Sequence, residues 1–248
     1  MELILFAAAC AVWRIAPPLA ALALRCGLQA CLRFSPRAAM ALSAAAGCAA
    51  CLGALLRRGG LRAVPPAQLG PLTLAALAGG TLGRMLALML DARLFSSRAF
   101  GRAQALPLLA LVIAACVPGR LRFPRSTRGL LALSLPCALA EGFFGAGALA
   151  LFALAAPPGV RRSDAPQAGA LLLCGAAQGT ALLLTLLSGA AQVFPARLPA
   201  AMALGAALGA WLNEGMQKGG ALPRGMRAAL AVYAILSALA CVEQGFLT

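Results

Sequence analysis

The sequence predicts an all-α, polytopic helical membrane protein with about eight membrane segments in two pseudo-repeats, a broken helix opening each. Three observations carry that expectation. Hydrophobic residues make up 62% of the 248-residue chain and charged residues only 11%, a balance that would leave a soluble domain with one large apolar surface. Apolar runs of roughly membrane-spanning length recur from end to end, separated by Pro, Gly and Arg. Two of these runs are interrupted, and the interruptions fall at corresponding places in the two halves.

The eight segments lie at 3–24, 36–56, 69–90, 103–117, 130–156, 165–190, 198–213 and 226–242. The first begins with a short apolar stretch that lacks a basic leader, so it reads as membrane segment rather than signal peptide. It carries Arg14 and is broken at Ala16-Pro17-Pro18, where two prolines remove amide donors. The second follows Ser35-Pro36, and Pro65-Pro66 precedes the third. Gly79 and Gly83 in the third are spaced for close helix packing. The fourth is short and ends before Pro118-Gly119. The fifth places Glu141 beside Gly142, Gly145 and Gly147, downstream of Pro136, and runs apolar to Ala156. The sixth opens on Ala165-Pro166 and carries Gln178 and Thr180. The seventh repeats the glycine spacing at Gly205 and Gly209 and ends at Asn213, with Glu214 beyond, both read as interfacial. The eighth follows Gly219-Gly220 and an arginine-containing loop.

The halves align as pseudo-repeats 1–118 and 129–248 of one membrane domain, 1–248. Ser35-Pro36 entering segment two matches Ala165-Pro166 entering segment six, and the Gly79/Gly83 pair matches Gly205/Gly209. That register lays Ala16-Pro17-Pro18 on Gly145-Ala146-Gly147. Interrupted segments at equivalent positions point to a transport site.

Net charge is +15, nearly all arginine, in clusters between apolar runs. This fits positive-inside topology and anionic headgroups rather than nucleic acid, and weakly favours both termini outside. Nine cysteines lie mostly within apolar runs and there is no histidine, so Cys48 and Cys51 read as small apolar filler. No metal, cofactor or catalytic constellation is expected, and no ATP-hydrolysing loop is present in the chain.

The candidate substrate-binding residues are Arg14, Pro17, Pro18, Glu141, Gly142, Gly145, Gly147, Gln178 and Thr180. Charge at bilayer depth costs at least about 2.5–3.5 kcal/mol and so faces a cavity or a partner. Glu141 is read as a proton-coupling site, as a partner for Arg14, or as a segment-end carboxylate reaching the headgroups. Arg14 would bind an anion, pair with Glu141, or snorkel to the interface. Arg84 is a second buried-cation candidate. The three glycines would offer backbone N–H groups to an anion, or simply pack closely. Gln178 and Thr180 would line a path or bond between helices.

These motifs resemble the sulfite exporter TauE/SafE family, also called the toluene-sulfonate uptake permease family. The second half carries the resemblance throughout, from Glu141-Gly-Phe-Phe-Gly-Ala-Gly147 through Ala165-Pro166-Gln-Ala168 and Gly205–Gly209 to Leu222-Pro-Arg-Gly-Met-Arg-Ala-Ala-Leu. The first half matches from Ser35 to Val117 but has Trp13-Arg14-Ile-Ala-Pro17-Pro18 where that family has its clearer glycine run. The resemblance implies a secondary permease or exporter for small anions, of sulfite or sulfonate type, in a bacterial inner membrane. Its partners would be the lipid bilayer, the anion and a coupling proton, with homo-oligomerisation left open. The altered first break keeps open another class: a membrane scaffold or subunit that transports nothing.

Overall fold

A computed structural model describes residues 1–64, 66–94, 97–116, 127–147, 164–188, 195–216 and 224–246. Among these residues the chain is all helix. Nine α-helices follow in order: α1 (Glu2–Ile15), α2 (Pro17–Ala30), α3 (Pro36–Arg57), α4 (Pro66–Leu94), α5 (Ser97–Cys116), α6 (Thr127–Phe144), α7 (Asp164–Leu187), α8 (Arg197–Met216) and α9 (Arg224–Phe246). A 3-10 turn, Gly60–Ala63, links α3 to α4.

Segment one is two helices of 14 residues each. At 1.5 Å per residue each reaches only ~21 Å, too short to cross a ~30 Å hydrocarbon core alone. The helices also overrun the apolar runs that announce them. α4 and α5 both start upstream of the predicted segments, and α2 continues six residues past the predicted end at 24. Pro71, Pro107 and Pro136 sit inside helices, as membrane helices tolerate. The stretch from 148 to 156, predicted to complete segment five, lies outside the described residues, as do Pro118-Gly119 and Gly219-Gly220.

α3 is the centre of the bundle. It is rich in Ala and Gly, so its neighbours approach closely, and it packs against α2, α7 and α8. Ser35 starts it with a hydroxyl that accepts from Ala38 N–H at 3.2 Å. At its other end the Arg57 guanidinium lies over the Trp211 ring of α8, 5.0 Å from the centroid. The remaining packing is crossed: α1 lies on α8, α6 lies on α4, α4 also meets α7, and α9 meets both α2 and α5.

The polarity is that of a membrane protein. Outward side chains include Leu74, Leu82, Met89, Leu183, Leu204 and Leu236, all exposed. The buried set includes Arg25, Arg84, Gln104, Glu141, Gln178 and Asn213. α3, residues 66–90 of α4 and residues 168–187 of α7 are long and apolar enough to cross a bilayer. An apolar exterior around buried polar groups is what a lipid solvent selects.

Candidate functional site

The two interruptions are real features of the backbone. At the first, Ala16 adopts φ −152°, ψ 84° and caps α2, with Pro17 opening that helix. A residue before proline is pushed out of the helical region, and proline at the first helical position has no amide to lose. Pro17 therefore cannot bond the carbonyl of Trp13, four residues back. Asn213 of α8 donates its side-chain amide to that carbonyl, at 3.4 Å. Asn213 is thus buried, in the last turn of α8 where the sequence placed it. The side chains of Pro18 and Glu214 lie outside the description.

At the second interruption α6 runs to Phe144, and Gly145 and Gly147 take φ +70° and +126°. Gly145 N–H still bonds Glu141 C=O at 2.8 Å. The break therefore begins at Gly145, not at Glu141, and residues 141–144 have helical amides. What this end of α6 exposes is carbonyl, not N–H. The expected anion-binding amides would belong to the chain after Gly147, outside the described residues. The Gly145 carbonyl accepts the Ser43 hydroxyl of α3 at 3.1 Å. The Phe143 carbonyl accepts the Gln104 amide of α5, also at 3.1 Å. Each interruption therefore has a carbonyl of its last turn capped by a side-chain amide from another helix.

Glu141 is fully buried. The Gln178 amide of α7 donates to its Oε1. Gly47 of α3 makes room for Gln178, because a Cβ there would overlap the amide group. Gln178 Oε1 is buried without a hydrogen-bond partner among the described residues.

Of the candidates, Glu141, Gln178, Gly142 and Thr180 come together. A Cβ on Gly142 would strike the Gly80 carbonyl of α4, and a Cβ on Gly80 would strike Thr180 Oγ1. Thr180 itself donates to the Ala177 carbonyl at 2.9 Å. Gly142 is a helical packing residue here, and its N–H is not turned to a ligand. Gly145 and Gly147 mark the break beside this group. Arg14 stands exposed in the last turn of α1, whereas Glu141 is fully buried and takes the Gln178 amide. Pro17 is half-buried at the other interruption. Arg84 is buried as anticipated and donates to Thr185 of α7.

The sequence reading missed a second buried polar group. Arg25, on α2, is fully buried. Its Nη1 donates to Gln29 Oε1 at 2.8 Å and its Nη2 to Gln104 Oε1 at 2.9 Å. The same Gln104 amide caps Phe143, so one chain of hydrogen bonds joins the helix after the first break to the last turn before the second. Arg25 escaped notice because it lies one residue beyond the predicted segment, where an arginine reads as loop. The signal was available: Pro17 restarts a helix, and fourteen residues counted from it enclose Arg25.

The fold and its buried polar groups define an α-helical membrane protein. Among the described residues no group of three or more Cys, Asp or Glu is arranged to hold a metal ion. No family model, curated protein or solved structure matches the chain.

Proposed function

We propose that this chain is a secondary permease or exporter for small anions of sulfite or sulfonate type. Its eight crossings would form two pseudo-repeats, 1–118 and 129–248, in a bacterial inner membrane. The observation that carries this reading is the matched engagement of the two interrupted helices. Gly79 and Gly83 of α4 press on the backbone of α6 at Leu135 and Leu139; Gly205 and Gly209 of α8 press on the backbone of α1 at Phe6 and Cys10. Leu135 and Phe6, Leu139 and Cys10, and Gly145 and Ala16 are each the same number of residues apart. One register thus relates the glycine contacts and the breaks. Paired broken helices, each held by the opposite half, are the architecture in which transporters place substrate between repeats.

Glu141 supplies the coupling proton in this reading. An ionised carboxylate next to the break would repel an anion, and the last turn of a helix disfavours negative charge. Anion occupancy therefore goes with a protonated Glu141, and flux falls as pH rises. The experiment is uptake of radiolabelled sulfite and methanesulfonate into proteoliposomes with an imposed pH gradient and no nucleotide. The expected result is saturable, gradient-sensitive flux that Glu141→Gln preserves with a flattened pH profile. Epitope tags at the two ends, scored for sidedness in cells, should both report the outer face. Flux no greater than in empty liposomes for both anions would leave the scaffold reading standing instead.

A further inference from the structure

We infer that Arg25 is the primary coordinating residue of a small-oxyanion site between α2, α5 and the end of α6, an assignment that rests on the anion-permease reading and locates its substrate. A guanidinium has five N–H donors and no acceptor. Two of Arg25's donors are used, one on Gln29 and one on Gln104. Its Nε is buried with no partner among the described residues. Both acceptors are neutral amides, so neither cancels the charge. Among the described side chains its hydrogen bonds go to these two amides and to no carboxylate. Among the described residues no counter-charge meets this buried cation, and a charge so held is costly for a fold.

The surroundings orient the side chain rather than neutralise it. Gln104 gives its Nε2 to the Phe143 carbonyl at 3.1 Å and to Met40 Sδ at 3.7 Å. That fixes its Oε1 toward Arg25, and Gln29 holds Nη1 from the same helix. With both ends of the fork steadied, Nε–H is the donor left for a ligand to take. Nε–H and a neighbouring Nη–H are parallel donors spaced for two oxygens of one anion. Sulfite, sulfonate and phosphate-type groups present such a pair; a halide does not. Because Gln104 also caps the turn before Gly145, an anion drawing on Arg25 pulls on the hydrogen bond that holds the second interruption.

The test uses the purified full chain in phosphatidylcholine nanodiscs, read by thermal unfolding and by equilibrium binding of radiolabelled sulfite, against chloride at matched ionic strength. The wild-type chain should be stabilised saturably by sulfite and not by chloride. Arg25→Gln should weaken sulfite binding at least tenfold. Arg25→Lys keeps the charge and loses the fork, and it too should weaken sulfite binding at least tenfold, which covers the case in which the glutamine variant fails to fold. Arg84→Gln, also a loss of a buried cation, should be less stable yet keep the sulfite-induced shift. If Arg25→Lys binds sulfite like wild type, or wild type shows no preference over chloride, the guanidinium is a structural tie and the inference fails. Stabilisation by phosphatidylglycerol nanodiscs but not by sulfite, lost in Arg25→Lys, would assign the oxyanion to a lipid headgroup and overturn a soluble ligand. Sulfite flux with unchanged KM in Arg25→Lys overturns this site and leaves the permease; Arg25-dependent binding without wild-type flux leaves the site and overturns the permease.

Discussion

At Ala16 the backbone turns because Pro17 withholds the amide that α1 would need to continue; at Gly145 it turns because two glycines enter a left-handed region that other residues rarely adopt. The first break is fixed by covalent geometry, and its neighbours only tidy it, as Asn213 does for the Trp13 carbonyl. The second is fixed by packing. Ser43 holds the Gly145 carbonyl, Gln104 holds that of Phe143, and Met40 and Leu111 leave no room where side chains would be. A break written in proline survives changes around it. A break written in glycine depends on its neighbours and can respond to them, and it is the one beside Glu141.

That contrast is broken most directly at Gly145. A Cβ there would lie 2.7 Å from the Met40 carbonyl, at φ +70°. Gly145→Val should cost about 3 kcal/mol or more, joining the ~1–3 kcal/mol of a strained left-handed residue to that of overpacking. Denaturant unfolding in detergent reads this, and a loss under about 1 kcal/mol would mean the break is soft. Next comes Gln104→Leu, which strands both the Phe143 carbonyl and one end of a buried guanidinium. It should cost about 2–3 kcal/mol, at the upper end for a lost buried partner. Asn213→Leu does the same job at the proline break with a longer bond and no charge, so about 1 kcal/mol is expected. Equal losses at 104 and 213 would show that the two breaks are supported alike. The smallest effect belongs to Pro17→Ala. It frees the unfolded chain and should cost about 0.4–1 kcal/mol. A loss as large as that of Gly145→Val would reverse the comparison.

Much of this was legible in the chain because lipid makes local hydropathy informative. Apolar runs announced the helices, Pro17-Pro18 and Gly145-Ala146-Gly147 announced the interruptions, and the Gly79/Gly83 and Gly205/Gly209 spacings announced close contacts. The errors share one cause. Arg25 was left beyond its predicted segment, and Gln104, two residues into its predicted run, was passed over, yet both are buried by helices distant in sequence. Polarity marks a boundary only where nothing else covers the residue. For Gly142 the sequence left open an anion-facing amide or close packing, and what decides for packing is the Gly80 carbonyl, on a helix some sixty positions earlier. Glu141 was recognisable because a lone carboxylate in so apolar a run is conspicuous, but its amide partner was not, since Gln178 becomes one only through the glycine at 47.

The Arg57–Trp211 contact acts as a depth gauge. Tryptophan and arginine gather at the level of the headgroups, so this end of α3 marks one edge of the hydrocarbon. Counting back along α3 at ~1.5 Å per residue, Gly47 lies ~15 Å below that edge, halfway through a core of ~30 Å. Gln178 stands against Gly47 and shares its depth, and it holds Glu141 by a hydrogen bond. In the proposed permease, a proton reaching Glu141 from either face would traverse about half of the membrane field, about 1.1 kcal/mol at 100 mV. Loading that carboxylate would then be an electrical event as well as a chemical one, and a voltage across the membrane would act on its protonation as a shift in pH does.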